Sequence, residues 1–363
     1  MRALVADGPG EYGLVDVEID PPGPGEVRVR TSASGICGSD LHVLHGVSNA
    51  AVYPSVLGHE GAGVIESVGV GVAIEPGTPV VVSMGASCGR CDRCAAGDAV
   101  LCEDPGRGKR LAGLMADGSG RVHRDGTVLH PFVGCGTLAE LVVVPAHEVV
   151  PIPEGVPFEV AAIAACGVTT GLGAALTVAA VRPGSTALVV GCGGVGLNVV
   201  QGCRLAGAAR ILAADTNPAK LDLARQVGAT DALDLSSTSL TDAVRAVLPG
   251  GVDYAFEVIG IPSLVEELFE LTRAGGTCVA VGSTPPGSHV SISMQSLFPQ
   301  RRLLGCMAGG NVPRRDLPRI FELYRRGRIE LDLLIGARVP LDQVDEAIAT
   351  AESGDVARTV VVF

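Results

Sequence analysis

Short stretches of alternating apolar and polar residues fill the first third of the chain: EVRVR at 26–30, GAGVIESVG at 61–69 and TPVVVS at 78–83, each bounded by Gly or Pro. Runs of this period and punctuation predict the strands of an antiparallel β domain. From about residue 185 the texture changes. The continuous apolar runs TALVVG (186–191), ARILAAD (209–215), DALDL (231–235), VDYAFEVIG (252–260) and TCVAVG (277–282) alternate with helix-like stretches that begin at Gly194, at Pro218 and at Pro262 or run through 240–248. Buried strands alternating with amphipathic helices predict an α/β domain with a doubly wound parallel sheet. After RRLLGCMAGG, the helical stretch 314–326 and the closing RTVVVF fit poorly as further units of that sheet, so the C-terminus is expected to return to the first domain. The expected division is a mainly β domain of residues 1–167 and 308–363 and a doubly wound domain of residues 168–307.

Composition narrows the function. A chain of 363 residues with 47% apolar content is long enough for two cores and can fill both. Its net charge of −12 opposes nucleic acid and anionic membranes as partners, since phosphate contact needs concentrated Lys and Arg. No run supplies the roughly 18 uninterrupted apolar residues of a spanning helix, and the start MRALVADGPGEYG lacks the apolar core of a signal peptide. A cytoplasmic protein acting on a small, neutral or weakly polar molecule is expected.

Gly191-Cys192-Gly193-Gly194-Val195-Gly196 satisfies GxGxxG, a weak signal alone in a chain with 50 glycines. Its context strengthens it. An apolar strand precedes it, a helix follows, and Asp215 ends the next strand 24 residues after Gly191, near the offset of about 20 expected for an acid on the adenosine ribose. Gly191 permits the tight turn, Gly193 lets a pyrophosphate approach the backbone, and Gly196 allows the helix close to the strand, where its N-terminus favours negative charge. Asp215 can accept from a ribose 2′-hydroxyl but repels a 2′-phosphate, and Thr216, Asn217 and Pro218 offer no Arg; NAD is expected over NADP. The plainer alternative is that Asp215 caps the following helix. Lys220 is within reach of the same ribose, or is simply a solvated lysine.

Eleven cysteines invite a disulfide reading, but Cys88-x2-Cys91-x2-Cys94-x7-Cys102 is too tight for an extracellular framework. Four thiolates complete the tetrahedral shell of Zn²⁺, so this run is read as a closed structural site. Cys37 in GICGSDLH, His59 in LGHEGAG and Cys166 in AACGVTTG form a looser set. Each alone reads as a core side chain; together, ahead of the dinucleotide motif, they suggest an open zinc site with three protein ligands. Cys135, Cys192, Cys203, Cys278 and Cys306 are assigned no role beyond small apolar filling.

These motifs occur in the order found in the zinc-dependent medium-chain alcohol dehydrogenases, and the chain resembles the liver-like and class III-like branch of that family over essentially its whole length. GICGSDLH, LGHEGAGVIESVG, the four-cysteine lobe (about 86–104), CGVTTGLGAA, GCGGVGLNVVQGCRLAGAARI, FEVIG and RTVVVF carry the likeness. It implies a GroES-like catalytic domain beside a Rossmann domain. It also implies two zincs per chain: a catalytic one on Cys37, His59 and Cys166, the Cys₂His arrangement already known for alcohol dehydrogenase, and a structural one on the four-cysteine run. Asp40 is implied as the carboxylate behind His59, and Glu60 as a buried acid able to pair with Arg358. Zinc activates the alcohol and hydride passes to the nicotinamide of NAD, with the proton leaving through Ser39 and His42. His45 is a weaker neighbouring candidate. The likeness further implies Thr170, Val195, Val258, Val281 and Gly282 along the nicotinamide half, Arg358 on the pyrophosphate, and Met84, Phe132, Val133, Ser283 and Met307 along the substrate channel.

The implied activity is reversible oxidation of a zinc-bound primary or allylic alcohol to the aldehyde. A thiol-adduct (class III-like formaldehyde) dehydrogenase is an alternative, although Gly106 stands where that branch carries a carboxylate-gripping arginine and Arg107 is one residue off. A specialised biosynthetic carbonyl reductase and, outside enzymes, a redox-inactive NAD-binding protein complete the alternatives. A homodimer through the sheet edge near 290–310 is implied, with a tetramer as the other state.

Overall fold

Strand Glu26–Ile36, 11 residues long, organises the first unit of the computed structural model, which describes residues 1–84 and 87–363. Its burial alternates through Val27, Val29 and Thr31 while Arg28 and Arg30 face outward; from Ala33 to Ile36 every position is buried. The change reflects its neighbours. The strand pairs antiparallel with Glu60–Val68, Leu141–Pro145 and Arg358–Val362, and the helix Phe158–Ile163 packs across it. Together with Pro79–Val82, Val149–Pro151 and Ile335–Pro340 these make a seven-stranded sheet. A second, six-stranded sheet runs in the order Glu11–Asp16, Arg2–Gly8, Ser55–Val56, Thr127–Pro131, Val122–Arg124, Glu18–Ile19.

Strand register brings distant residues together at one end of the central strand. Gly35 is paired with Glu60 and Ile36 with Thr359, so Cys37, His59 and Arg358 all lie at the same sheet end. Cys37 then caps the helix Gly38–Leu44. Cys166 comes from the π-helical turn Ala164–Val168 that continues the helix lying on those strands.

The first unit comprises Met1–Gly167, Val312–Gly327 and Ile335–Phe363; the second comprises Val168–Asn311 and Arg328–Leu334. The boundary expected at 307/308 therefore falls at 311/312, and residues 328–334 join the second unit. Hydrogen bonds explain their place: Glu330 N–H donates to Gln201 Oε1 at 2.6 Å, and Arg204 Nη2 donates to Arg328 O at 2.9 Å.

In the second unit the six strands are parallel, ordered Asp231–Asp234, Arg210–Asp215, Thr186–Val190, Val252–Glu257, Thr272–Ala280, Arg302–Gly305. This is the Rossmann order, with the switch point beside the first strand. The helix starts follow ordinary capping chemistry: Asn217 accepts from Ala219 N–H with Pro218 in the first turn, and Ser239 accepts from Asp242 N–H. Contrary to the expectation of no such run, Phe158–Val178 is long and apolar enough to cross a membrane by length and composition; 78% of its 18-residue apolar window is buried inside the protein, as in a core helix.

Candidate active site and metal centres

Cys37, His59 and Cys166, with Glu60, bring one potential ligand atom each to within 4.8 Å of one another. Asp40, in the first turn of the helix that Cys37 caps, braces this group. Its Oδ1 accepts from His59 Nδ1 at 3.2 Å and from Gly58 N–H at 3.0 Å, and its Oδ2 accepts from Cys37 N–H at 3.0 Å. With Nδ1 engaged, Nε2 is the imidazole nitrogen left for a metal. Burial works against charging His59, yet the Asp40 carboxylate outweighs it and holds the imidazole's pKa well above its ordinary value. The Phe132 ring meets the imidazole edge-on, with centroids 5.4 Å apart.

Below the group, Arg358 Nη2 donates to Glu60 Oε1 at 2.7 Å, and Gly167 N–H donates to the same oxygen at 3.0 Å. Both side chains of the pair are buried, Arg358 at 8% and Glu60 at 0% exposure. Only glycine fits at 167, because a Cβ there would lie 2.2 Å from Arg358 Nη2. Burial pushes the Glu60 carboxyl up to about 8 despite Arg358. Cys37 is driven well below the usual thiol range, first by a hydrogen bond from Cys166, whose own thiol is driven up. Glu60 Oε2 has no hydrogen-bond partner and is buried. Two converging sulfurs, an oriented imidazole and an unpartnered carboxylate oxygen are a donor set suited to Zn²⁺.

The four-cysteine lobe fits a metal on separate grounds. The sulfurs of Cys88, Cys91, Cys94 and Cys102 lie within 4.8 Å of one another. Backbone amides point at them: Cys91 N–H and Cys88 N–H donate to Cys88 Sγ and Cys102 Sγ respectively, each at 3.3 Å, and Arg90 and Asp104 N–H donate at 3.5 Å. Such donors favour the thiolate. Amides of Glu103 and Cys94 bring Cys91 down to about 6, whereas desolvation pushes Cys94 up to about 12.

In the second unit Gly191 has φ +99°, and a Cβ on Gly196 would fall 1.8 Å from Gly191 O, so the turn and the close helix both require glycine. Gly193 caps the helix Gly194–Leu205, and nothing lies within 4 Å of where a Cβ on it would stand. Asp215 does not cap the next helix, a role taken by Asn217. Its carboxylate instead accepts from Cys192 N–H at 2.7 Å and Asn217 N–H at 2.9 Å. Lys220 is half-buried.

Residues 23–154 match the family model described as alcohol dehydrogenase GroES-like domain, and residues 194–326 the one described as zinc-binding dehydrogenase. The chain is 36% identical over 365 residues to S-(hydroxymethyl)glutathione dehydrogenase of Escherichia coli O139:H28, covering 99% of both. It is also 36% identical over 353 residues to alcohol dehydrogenase 6 of Peromyscus maniculatus, covering 96% and 93%. The crystal structure of benzyl alcohol dehydrogenase from Acinetobacter calcoaceticus superposes with a TM-score of 0.92 at 27% identity, over 100% of this chain and 99% of that one. The chain belongs to the zinc-dependent alcohol dehydrogenases.

As a member of that family it is a zinc-dependent oxidoreductase with a GroES-like domain and a Rossmann domain. Its remaining expected site residues divide between the two units. In the first, Ser39 and His42 are half-buried on the helix Gly38–Leu44, three residues apart. His45 is instead taken by Glu352 at 2.8 Å. Phe132 is buried, Val133 has φ +46°, and Met84 is half-buried against a cluster that also holds Val133. In the second, Thr170 is buried, Val258 donates to Val190 O at 3.1 Å, Val281 donates to Glu257 O at 2.8 Å, and Gly282 packs against Gly260. Val195 lies in the first turn of the helix Gly194–Leu205, and Ser283 and Met307 are exposed. Arg358, expected on the pyrophosphate, is buried with its guanidinium on Glu60.

Two buried acids went unnoticed in the sequence. Glu257 Oε1 accepts from the amides of Ile259, Gly260 and Ile261 at 2.7–3.2 Å and shapes the FEVIG turn. Glu148 pairs with Arg110. The signal for Glu257 was an acid inside an otherwise apolar strand; Glu148 offered none.

Proposed function

We propose that this dehydrogenase oxidises primary or allylic alcohols with NAD, and reduces the aldehydes, on a zinc held by Cys37, His59 and Cys166. The braced Cys37, Asp40, His59 and Cys166 arrangement is the observation that carries this reading. Zinc, when bound, lowers the pKa of a coordinated hydroxyl at neutral pH, and NAD supplies the hydride acceptor. Asp40 accepts from Nδ1 of His59 and so keeps the ring oriented with Nε2 turned to the metal position. Ser39 and His42, half-buried on one helix, take up the alcohol proton and carry it towards water. Asp215 selects the 2′-hydroxyl of the adenosine ribose, the residues 191–196 turn receives the pyrophosphate, and Cys88, Cys91, Cys94 and Cys102 hold a structural zinc.

The S-(hydroxymethyl)glutathione name among the relatives favours thiol adducts as a second substrate class. Against it, Gly106 lacks a side chain for the adduct's carboxylate, and Arg107 Nη2 is engaged by Val100 O at 2.8 Å. The eleven cysteines, several gathered in two candidate metal groups, suit a reducing, cytoplasmic setting. The open edge strand Arg302–Gly305 lies near exposed Met294 and Phe298 in the sequence and supports a homodimer.

NADH absorbance over a panel of alcohols and aldehydes, with and without a low-molecular-weight thiol, tests the reading. Thiol-independent turnover of primary or allylic alcohols is expected; turnover only with the thiol present would transfer the reading to the adduct.

A further inference from the structure

Arg110 and Glu148 form an ion pair that includes none of the candidate ligands of either metal cluster. The side chains are 6% and 4% exposed, and the contact is bidentate, with Nε to Oε1 at 3.1 Å and Nη2 to Oε2 at 2.6 Å. A buried pair of this kind contributes little net stability against its desolvation, so its retention asks for another explanation. Its remaining bonds supply one. Arg110 Nη2 also donates to Gly134 O at 2.8 Å, and Nη1 donates to Leu114 O at 3.1 Å. Gly134 closes the turn Phe132–Gly134, in which Val133, a β-branched residue, is held at φ +46°. That conformation is costly and persists only where its surroundings impose it. On the other side, Glu148 O accepts from Ser83 N–H at 2.8 Å and from Ser83 Oγ at 2.9 Å, next to Met84.

Arg110 thus holds the turn that sets Phe132 edge-on to His59 and presents Val133, and ties it through the Glu148 side chain to a backbone whose carbonyl holds Ser83, beside Met84. We propose that Arg110 and Glu148 are positioning residues that set the spacing of these two walls and thereby the size of alcohol accepted. This rests on the alcohol dehydrogenase reading above for the substrate, while the placement of Phe132 on His59 does not depend on turnover. Guanidinium geometry is essential here, because one side chain must serve a carboxylate and two carbonyls in fixed directions. Cys88 of the four-cysteine lobe lines the same cavity of about 310 Å³ as Arg110 and Glu148, so the lobe borders this clamp.

The test compares Arg110→Gln with the double variant Arg110→Met, Glu148→Leu. The single variant leaves a buried acid without its partner and is expected to lose thermal stability. The double variant replaces an ion pair by apolar groups of similar bulk, a change that is often neutral or stabilising, and is expected to recover it. Selectivity is expected to stay altered in both, the ratio of kcat/KM for benzyl alcohol to that for ethanol moving by about tenfold, mainly through KM. With Co²⁺ loaded in place of zinc, both variants are expected to shift the visible absorption of the metal at His59, a readout independent of activity. If the double variant regains stability together with wild-type selectivity and an unchanged cobalt spectrum, the pair is merely structural and the proposal is overturned. Should the double variant not accumulate, Arg110→Lys, which keeps the charge but not the fork that serves a carboxylate and two carbonyls, takes its place, and wild-type selectivity with an unchanged cobalt spectrum there overturns the proposal. A wild type that turns over no alcohol would refute the functional reading instead, and the cobalt spectra would then decide the positioning role alone.

Discussion

Asp40 Oδ1 lies 3.2 Å from His59 Nδ1, and the same carboxylate holds the amide of Cys37. One acid therefore orients two proposed ligands that are far apart in sequence. Replacing Asp40 with Ala is expected to weaken the catalytic zinc by about 10–100-fold, as loss of a carboxylate behind a ligating histidine usually does, and to spare the four-cysteine site. Chelator competition with metal analysis measures it; equal loss of both metals would show that Asp40 supports the fold rather than the ligands.

Glu60 and Arg358 make the other buried contact beneath the site. With its pKa raised to about 8, Glu60 keeps its proton at neutral pH, so Arg358→Met leaves a buried neutral carboxyl short of its donor, and a loss of roughly 1–3 kcal/mol is expected in urea unfolding at pH 7. A loss below about 1 kcal/mol, the scale of an exposed pair, would contradict the reading.

The four-cysteine run was legible because its ligands are local: spacing alone states the chemistry. Cys37, His59 and Cys166 needed resemblance, since they meet only through the pairing of Gly35 with Glu60 and the helix laid across both strands. The doubly wound sheet was legible from its buried strands, and the return of the C-terminus from the poor fit of RTVVVF to that pattern. Contacts between charged residues far apart were not. Nothing near Arg110 or Glu148 marks them as buried, and the positive φ of Val133 contradicts what a β-branched residue prefers. Residues 328–334 join the second unit through hydrogen bonds to Gln201 and Arg204, which sequence order does not reveal.

Cofactor preference follows from Asp215. Asp215→Ser with Asn217→Arg removes the charge facing a 2′-phosphate and adds one that attracts it, so the ratio of kcat/KM for NADP to that for NAD is expected to rise about tenfold or more, a difference of about 1.4 kcal/mol. No change in the ratio would place the ribose elsewhere. Asp215 also holds the Cys192 amide, so some loss with both cofactors is expected.

Acid stability has a component in the Rossmann unit. Hydrogen bonds from Arg210, at 2.7 and 2.9 Å, hold the Asp231 carboxyl below its ordinary value. The folded state then binds fewer protons than the unfolded state as pH falls, so this contribution is present above the unfolded carboxyl's pKa of about 3.9 and is lost as pH falls through the lower folded value. Arg210→Gln is expected to move the acid-unfolding midpoint to higher pH while its effect stays constant at pH 6–8. An unmoved midpoint would assign acid sensitivity to other groups.

Metal content and NADH formation on one preparation test the central claim most directly. Wild type is expected to carry about two zincs per chain and to accumulate NADH from a primary or allylic alcohol. The variant Cys37→Ser, His59→Ala is expected to keep about one zinc and form none. Full zinc occupancy in the wild type with neither NADH formed from any alcohol nor NADH consumed with any aldehyde would contradict it.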